Sequence, residues 1–197
     1  MLSETITIAA RRLPLAGAIL ASLLVCGGLQ ARSGKKMKGL IVYGEGFSFM
    51  VKEPDGWRSD IGKIAGKYGA NVVFLPSAQE SRKLDVTIRV RVNQKQDENT
   101  IEDLNCDMQE YSQKYPEAEF SDLAAAHGEY ATFAKLVFVP KRFYEYVAYL
   151  NPGRETRFTF SVAMSKLNSP ATDAELSAFR TVLRSVVWLT SSVITKP

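Results

Sequence analysis

A single histidine and two cysteines in 197 residues leave little of the side-chain chemistry on which most catalytic and metal centres depend. His127 stands alone, so a two-histidine mechanism and a histidine-rich zinc site are both excluded. Its neighbour Gly128 places it in an expected turn, where an exposed turn residue is the simplest reading. The carboxylates do not gather into a calcium loop or a glycosidase pair. Glu102/Asp103 and Glu117/Glu119 fall at the ends of expected elements, where capping or solvation accounts for them. Strong charge is missing too: a formal net charge of +4, spread along the chain, is not the clustered basic footprint of a nucleic-acid binder. Internal repeats and low-complexity tracts are absent.

What is present begins with the first thirty-odd residues. Arg11-Arg12 precede an apolar run from Leu13 to Val25, and Gly27-Gly28-Leu29-Gln30-Ala31 follow. The run is about 13 residues, inside the roughly 7–15 of a signal-peptide core and short of the roughly 20 that a spanning helix needs. Residues 1–31 are therefore expected to be a signal peptide, cut between Ala31 and Arg32. The alternative is lipidation at Cys26, because Leu23-Leu24-Val25-Cys26 resembles a lipobox, although Val25 stands where a small residue is usual. Arg11-Arg12 also fits a twin-arginine signal loosely. Under either processing route Cys106 has no thiol left to pair with inside the chain. Residues 32–38 read as a basic linker, 39–189 as one globular domain, and 190–197 as a frayed tail.

Within the domain, Phe47, Phe49 and Val51 alternate with Ser48, Met50 and Lys52 before Glu53-Pro54-Asp55-Gly56, which predicts a strand and a turn. Trp57 is expected to cover the core edge, and 58–69 to be a loop with one helical turn. Further strands are expected at 70–76, 86–92, 118–124, 129–139, 142–150 and 155–164, several joined as hairpins. Thr100 opens a helix whose Ile101, Leu104, Met108, Tyr111 and Tyr115 recur at steps of three and four, and Pro116 ends it. Thr172-Asp173-Ala174-Glu175 is a capping box for a last helix with Leu176, Phe179, Leu183, Val186 and Val187 on one face. Two amphipathic helices and a run of hairpins predict an α+β fold. Its finer form is an α/β/α sandwich with a central, mainly antiparallel sheet and a C-terminal amphipathic helix.

The stretch Gly46-Phe47-Ser48-Phe49-Met50-Val51-Lys52-Glu53-Pro54-Asp55-Gly56-Trp57 resembles the opening strand and turn of PsbP-like domains. Tyr144 to Gly153, Phe158 to Met164 and the helix through Phe179-Arg180-Thr181-Val182-Leu183-Arg184-Ser185-Val186 are similar to that family's last hairpin and helix. The family includes the photosystem II subunit PsbP, a nuclear Ran-binding factor and periplasmic proteins of the DcrB type. The resemblance covers most of 39–189 and rests on scaffold positions, so it implies a non-enzymatic docking domain and carries over no functional residue.

Three residues stand out as a partner or ligand surface. Arg89 and Arg91, at i and i+2, share one sheet face; with Arg82, Lys83 and Lys95 they suit an anionic ligand or an acidic partner, and equally a solvated face or a guarded edge. Cys106 falls nearly opposite the apolar stripe of its helix, at about 100° per residue, which leaves it either an exposed thiol or a small buried hydrophobe under further cover. Phe143, Tyr144, Tyr146 and Tyr149 beside Lys141-Arg142 resemble a stacking platform, but suit core and cross-strand pairing.

The expected function is thus an exported, non-enzymatic accessory domain, periplasmic or secreted, that binds an envelope protein partner. Two alternatives stay open: a periplasmic small-molecule or lipid carrier, and a thiol-dependent enzyme or redox factor at Cys106. No cofactor, metal or nucleic acid is expected, and the membrane only if Cys26 carries lipid.

Overall fold

Alternation of apolar and polar residues builds most of the architecture. The computed structural model describes residues 39–80, 84–96, 98, 100–124 and 130–189. The elements in chain order are β1 (Gly39–Gly44), β2 (Phe47–Lys52), β3 (Trp57–Asp60), α1 (Lys63–Lys67), β4 (Val72–Pro76), β5 (Val86–Gln94) and α2 (Thr100–Lys114). They continue with β6 (Glu119–Asp122), β7 (Ala131–Val139), β8 (Phe143–Asn151), β9 (Phe158–Leu167), α3 (Asp173–Ser185) and β10 (Val187–Trp188). The chain is an α+β domain with a large sheet and three helices among the described residues. Seven strands form the large sheet in the order β3-β4-β5-β9-β8-β7-β6, with every described pairing antiparallel. β1, β2 and β10 form a second, three-stranded sheet.

Each large-sheet strand divides its residues between two faces. On one face Phe74, Ile88, Val90, Phe160, Val162 and Met164 join Tyr146, Ala148 and Leu150 in the main core, closed by Phe179, Val182 and Leu183 of α3 and by Phe49 and Val51 of β2. On the other, Val137, Val139, Val147 and Tyr149 pack under Leu104, Met108 and Tyr111 of α2, while Val73 and Leu75 pack under Ala65 of α1. β8 is therefore covered on both sides, which is why Glu145 through Leu150 are all buried and its alternation is invisible in the composition. Ring packing ties the small sheet to the large one: Phe49 meets Phe160 edge-on at 5.2 Å, and Phe47 meets Phe158 at 5.5 Å.

Several boundaries differ from the sequence expectation. Trp57–Asp60, expected as loop, is a strand because it pairs along β4 from Pro76 to Val73. The helical turn after it is set by Asp60, whose Oδ1 accepts from the backbone N–H groups of Gly62, Ile64 and Ala65. Gly39–Gly44, left without an element, pairs with all of β2. β9 runs to Leu167 rather than Met164, since Lys166 and Leu167 still have Tyr144 and Phe143 opposite them. Val187 leaves the last helix and pairs with Met50 in β10.

Lys166 links three parts of the chain. Its Nζ lies 2.9 Å from Asp85 Oδ2, ahead of β5, and 2.9 Å from Glu175 Oε1 in the first turn of α3. Glu175 also completes the capping box with Thr172. Among the described residues no helix is long and apolar enough to cross a membrane. The expected leader with Cys26, Ala31 and Arg32, the linker, Arg82, Lys83, His127 with its turn at 126–129, and the tail lie outside the described residues.

Candidate functional site

The face that carries α2 is only partly roofed. α2 lies over β7 and β8, and α1 over β3 and β4, so β5 and β9 run uncovered between them. Register places Thr87 beside Ser165, Arg89 beside Ala163 and Arg91 beside Ser161 along this strip. Hydroxyl and methyl side chains on β9 are too short to fill the gap between two helices. The result is a cavity of about 490 Å³ with Tyr68 on one wall and Asp107 and Tyr111 on the other.

Arg89 and Arg91 both project into this trough, and each already has work. The Arg89 guanidinium forms an ion pair with Glu145, donates to Ser165 Oγ at 2.9 Å, and stands 5.7 Å above the Tyr68 ring. Ser165 Oγ donates to the same Glu145 oxygen at 2.9 Å, and the Tyr111 hydroxyl donates to the other at 2.7 Å. Glu145 is almost wholly buried and receives a donor on both oxygens, which offsets the cost of burying the carboxylate. Burial draws the Arg89 guanidinium below its ordinary value, although an arginine stays protonated. Burial also pushes the Tyr111 phenol up to about 12, so it remains a donor to Glu145.

Arg91 sits at the more exposed end. Its Nε and Nη2 donate to the carbonyls of Gly69 and Tyr68, at 2.8 and 2.6 Å, and so hold the end of α1. Opposite it, Asp107 Oδ2 accepts from the Tyr149 hydroxyl at 3.1 Å. Burial raises the Asp107 carboxyl above the usual range, against the pull of the Tyr149 bond and of the charges of Arg91 and Arg89. The Tyr149 phenol is raised in turn, by burial first and then by the Asp107 charge.

Cys106 is not part of this constellation. It is half-buried, does not line the trough, and its Sγ donates to Gln96 Oε1 at 3.3 Å. Lys95 is also elsewhere, bound to the Gly153 carbonyl at 2.5 Å. The aromatic group divides between faces: Tyr146 lies in the main core, Tyr149 under α2, and Tyr144 stacks on Phe138 at 4.5 Å. No single platform results.

The sequence reading passed over Glu145, Asp107 and Tyr68. Glu145 had a signal, since it is the one charge inside the run Phe143-Tyr144-Glu145-Tyr146-Val147, and a carboxylate in a buried strand needs a partner. Asp107 lies four residues before Tyr111, on the side of α2 assigned to the core. Tyr68 had none, because its place depends on where α1 stops.

Among the described residues no three metal-ligating side chains converge. The trough offers hydrogen-bonding groups of both charges in a concave, partly desolvated setting. No protein-family model matches the chain, and no curated protein matches it at a significant level.

Proposed function

We propose that the protein is an exported, non-catalytic binding domain whose trough between α1 and α2 holds a small polar ligand. The observation that carries this is the uncovered strip of β5 and β9, about 490 Å³ in volume, with a guanidinium and a carboxylate locked in place at its floor. That volume is within the roughly 300–1,000 Å³ of small-molecule sites. Glu145, Ser165 and Tyr111 are committed to one another, so they preorganise Arg89 rather than act on a substrate. The architecture that goes with this reading is an α/β/α sandwich of the PsbP-like kind, with α2 on one face and α3, the C-terminal amphipathic helix, on the other.

Native mass spectrometry of the chain purified from its own host tests the proposal. The expected result is a small-molecule adduct that disappears in Ala163→Leu, a substitution that fills the floor. Protein that is ligand-free in every preparation overturns it.

A second reading, docking on an envelope protein, draws on a different place. β1 is an edge strand with Ile41 and Tyr43 exposed, and such an edge accepts a strand from a partner. Charging that edge by Ile41→Lys is expected to abolish co-purification of a stoichiometric partner; co-purification unchanged by it counts against this reading.

A further inference from the structure

Arg89 and Arg91 line the β5 side of the trough, and on the α2 side two carboxylates, Asp107 and Glu110, outnumber the one ammonium of Lys114. On the β5 side Arg91 uses Nε and Nη2 for the carbonyls of α1, and no hydrogen bond occupies its Nη1 among the described residues. On the α2 side Asp107 uses Oδ2 for Tyr149, and among the described residues no hydrogen bond occupies its Oδ1. Glu110, one turn further along α2, also lines the cavity and has no ion pair among the described residues. Arg91 and Asp107 line the same cavity, and among the described residues no ion pair joins them. Arg91 stands on a strand inside the large sheet and Asp107 on a fifteen-residue helix.

From this juxtaposition we infer that the ligand is a zwitterion of amino-acid or dipeptide size, its carboxylate on Arg91 and its ammonium on Asp107 and Glu110. The inference rests on the reading of the trough as a ligand site and narrows it. A simple anion fits worse. Arg89 is already neutralised by Glu145, and an anion at Arg91 would face two carboxylates of α2 against the one ammonium of Lys114. A simple cation on the α2 carboxylates would instead face Arg91 and Lys114. A molecule that carries both charges satisfies an open donor and an open acceptor together and adds no net charge to a partly desolvated space. Between the charged ends, the small floor residues Ser161 and Ala163 leave room for a side chain, with the Tyr68 and Tyr111 rings beside it.

The experiment is calorimetric titration of the full chain with Ala-Ala, N-acetyl-Ala-Ala, Ala-Ala amide and the neutral disaccharide maltose. Ala-Ala is expected to bind, with acetylation and amidation each weakening it at least tenfold. In Asp107→Asn, which keeps the Tyr149 hydrogen bond, the penalty for acetylation is expected to shrink. Blocked dipeptides that bind as tightly as Ala-Ala, or binding by maltose alone, overturn the zwitterion while leaving a ligand trough in place. If none of the four binds, the zwitterion is overturned. The trough reading then stands or falls by its own test, the adduct lost in Ala163→Leu.

Discussion

Arg89 on β5 and Glu145 on β8 are joined across the strand between them, with Ser165 of β9 bonded to both. Three adjacent strands thus share one buried polar junction. Removing Glu145 strands a buried guanidinium. Glu145→Ala is expected to cost about 3–5 kcal/mol, whereas the paired change Arg89→Met with Glu145→Leu recovers most of it. Urea denaturation of Glu145→Ala, of Arg89→Met and Glu145→Leu singly, and of the double variant checks this. A sum of the single effects in the double variant would show that the junction contributes nothing as a unit.

Lys166 predicts the pH range of stability. Burial opposes its charge, but the bonds from Asp85 and Glu175 prevail, and its pKa is raised from 10.5. The Lys166 bond lowers Asp85 from 3.8. Glu175 is lowered from 4.5 because the Lys166 and Thr172 bonds outweigh its burial. The carboxylates therefore contribute stability that is present above their unfolded values and lost as pH falls through the lower folded ones. The lysine contributes stability that is present below 10.5 and lost as pH rises through its higher folded value. The contribution of these three groups should be flat between these limits and fall below about pH 4. In Lys166→Met the acid limb is expected to be shallower, as measured by thermal melts across pH; an unchanged acid limb would remove the clip from the account.

Thr172 caps α3, with its Oγ1 accepting from the Glu175 N–H at 3.3 Å while Glu175 accepts from the Thr172 N–H at 2.7 Å. Thr172→Ala is expected to destabilise the domain by about 1 kcal/mol, and Thr172→Ser to leave it near wild type. A chemical denaturation midpoint for each variant is the check, with equal losses in both counting against the cap.

Cys106 makes one weak hydrogen bond, to Gln96, away from the trough. Cys106→Ser is expected to shift stability by less than about 0.5 kcal/mol, as for surface positions free of special features, and to leave ligand binding unchanged. Loss of the bound adduct in this variant would return the thiol to the site.

Much of the scaffold was legible because it depends on local periodicity. β2 follows from Phe47, Phe49 and Val51 at a spacing of two, and α2 from Leu104, Met108 and Tyr111 at three and four. β3 was not legible, because Trp57-Arg58-Ser59-Asp60 has one large apolar residue and becomes a strand only by pairing with β4. β1 was obscured by a short unalternating run between two glycines. In the site, Arg89 and Arg91 were readable as a pair, whereas their surroundings were not.

Strand periodicity by itself determined that Arg89 and Arg91 share a face, since successive side chains on an extended backbone must alternate. What that face does was decided by tertiary structure. Arg89 finds its carboxylate 56 residues away, and Arg91 finds its acceptors at the end of a helix placed by packing on β3 and β4. The trough exists because α1 and α2 settle to either side of β5 and β9, a spacing set by how apolar side chains fill distant strands, which no local pattern encodes.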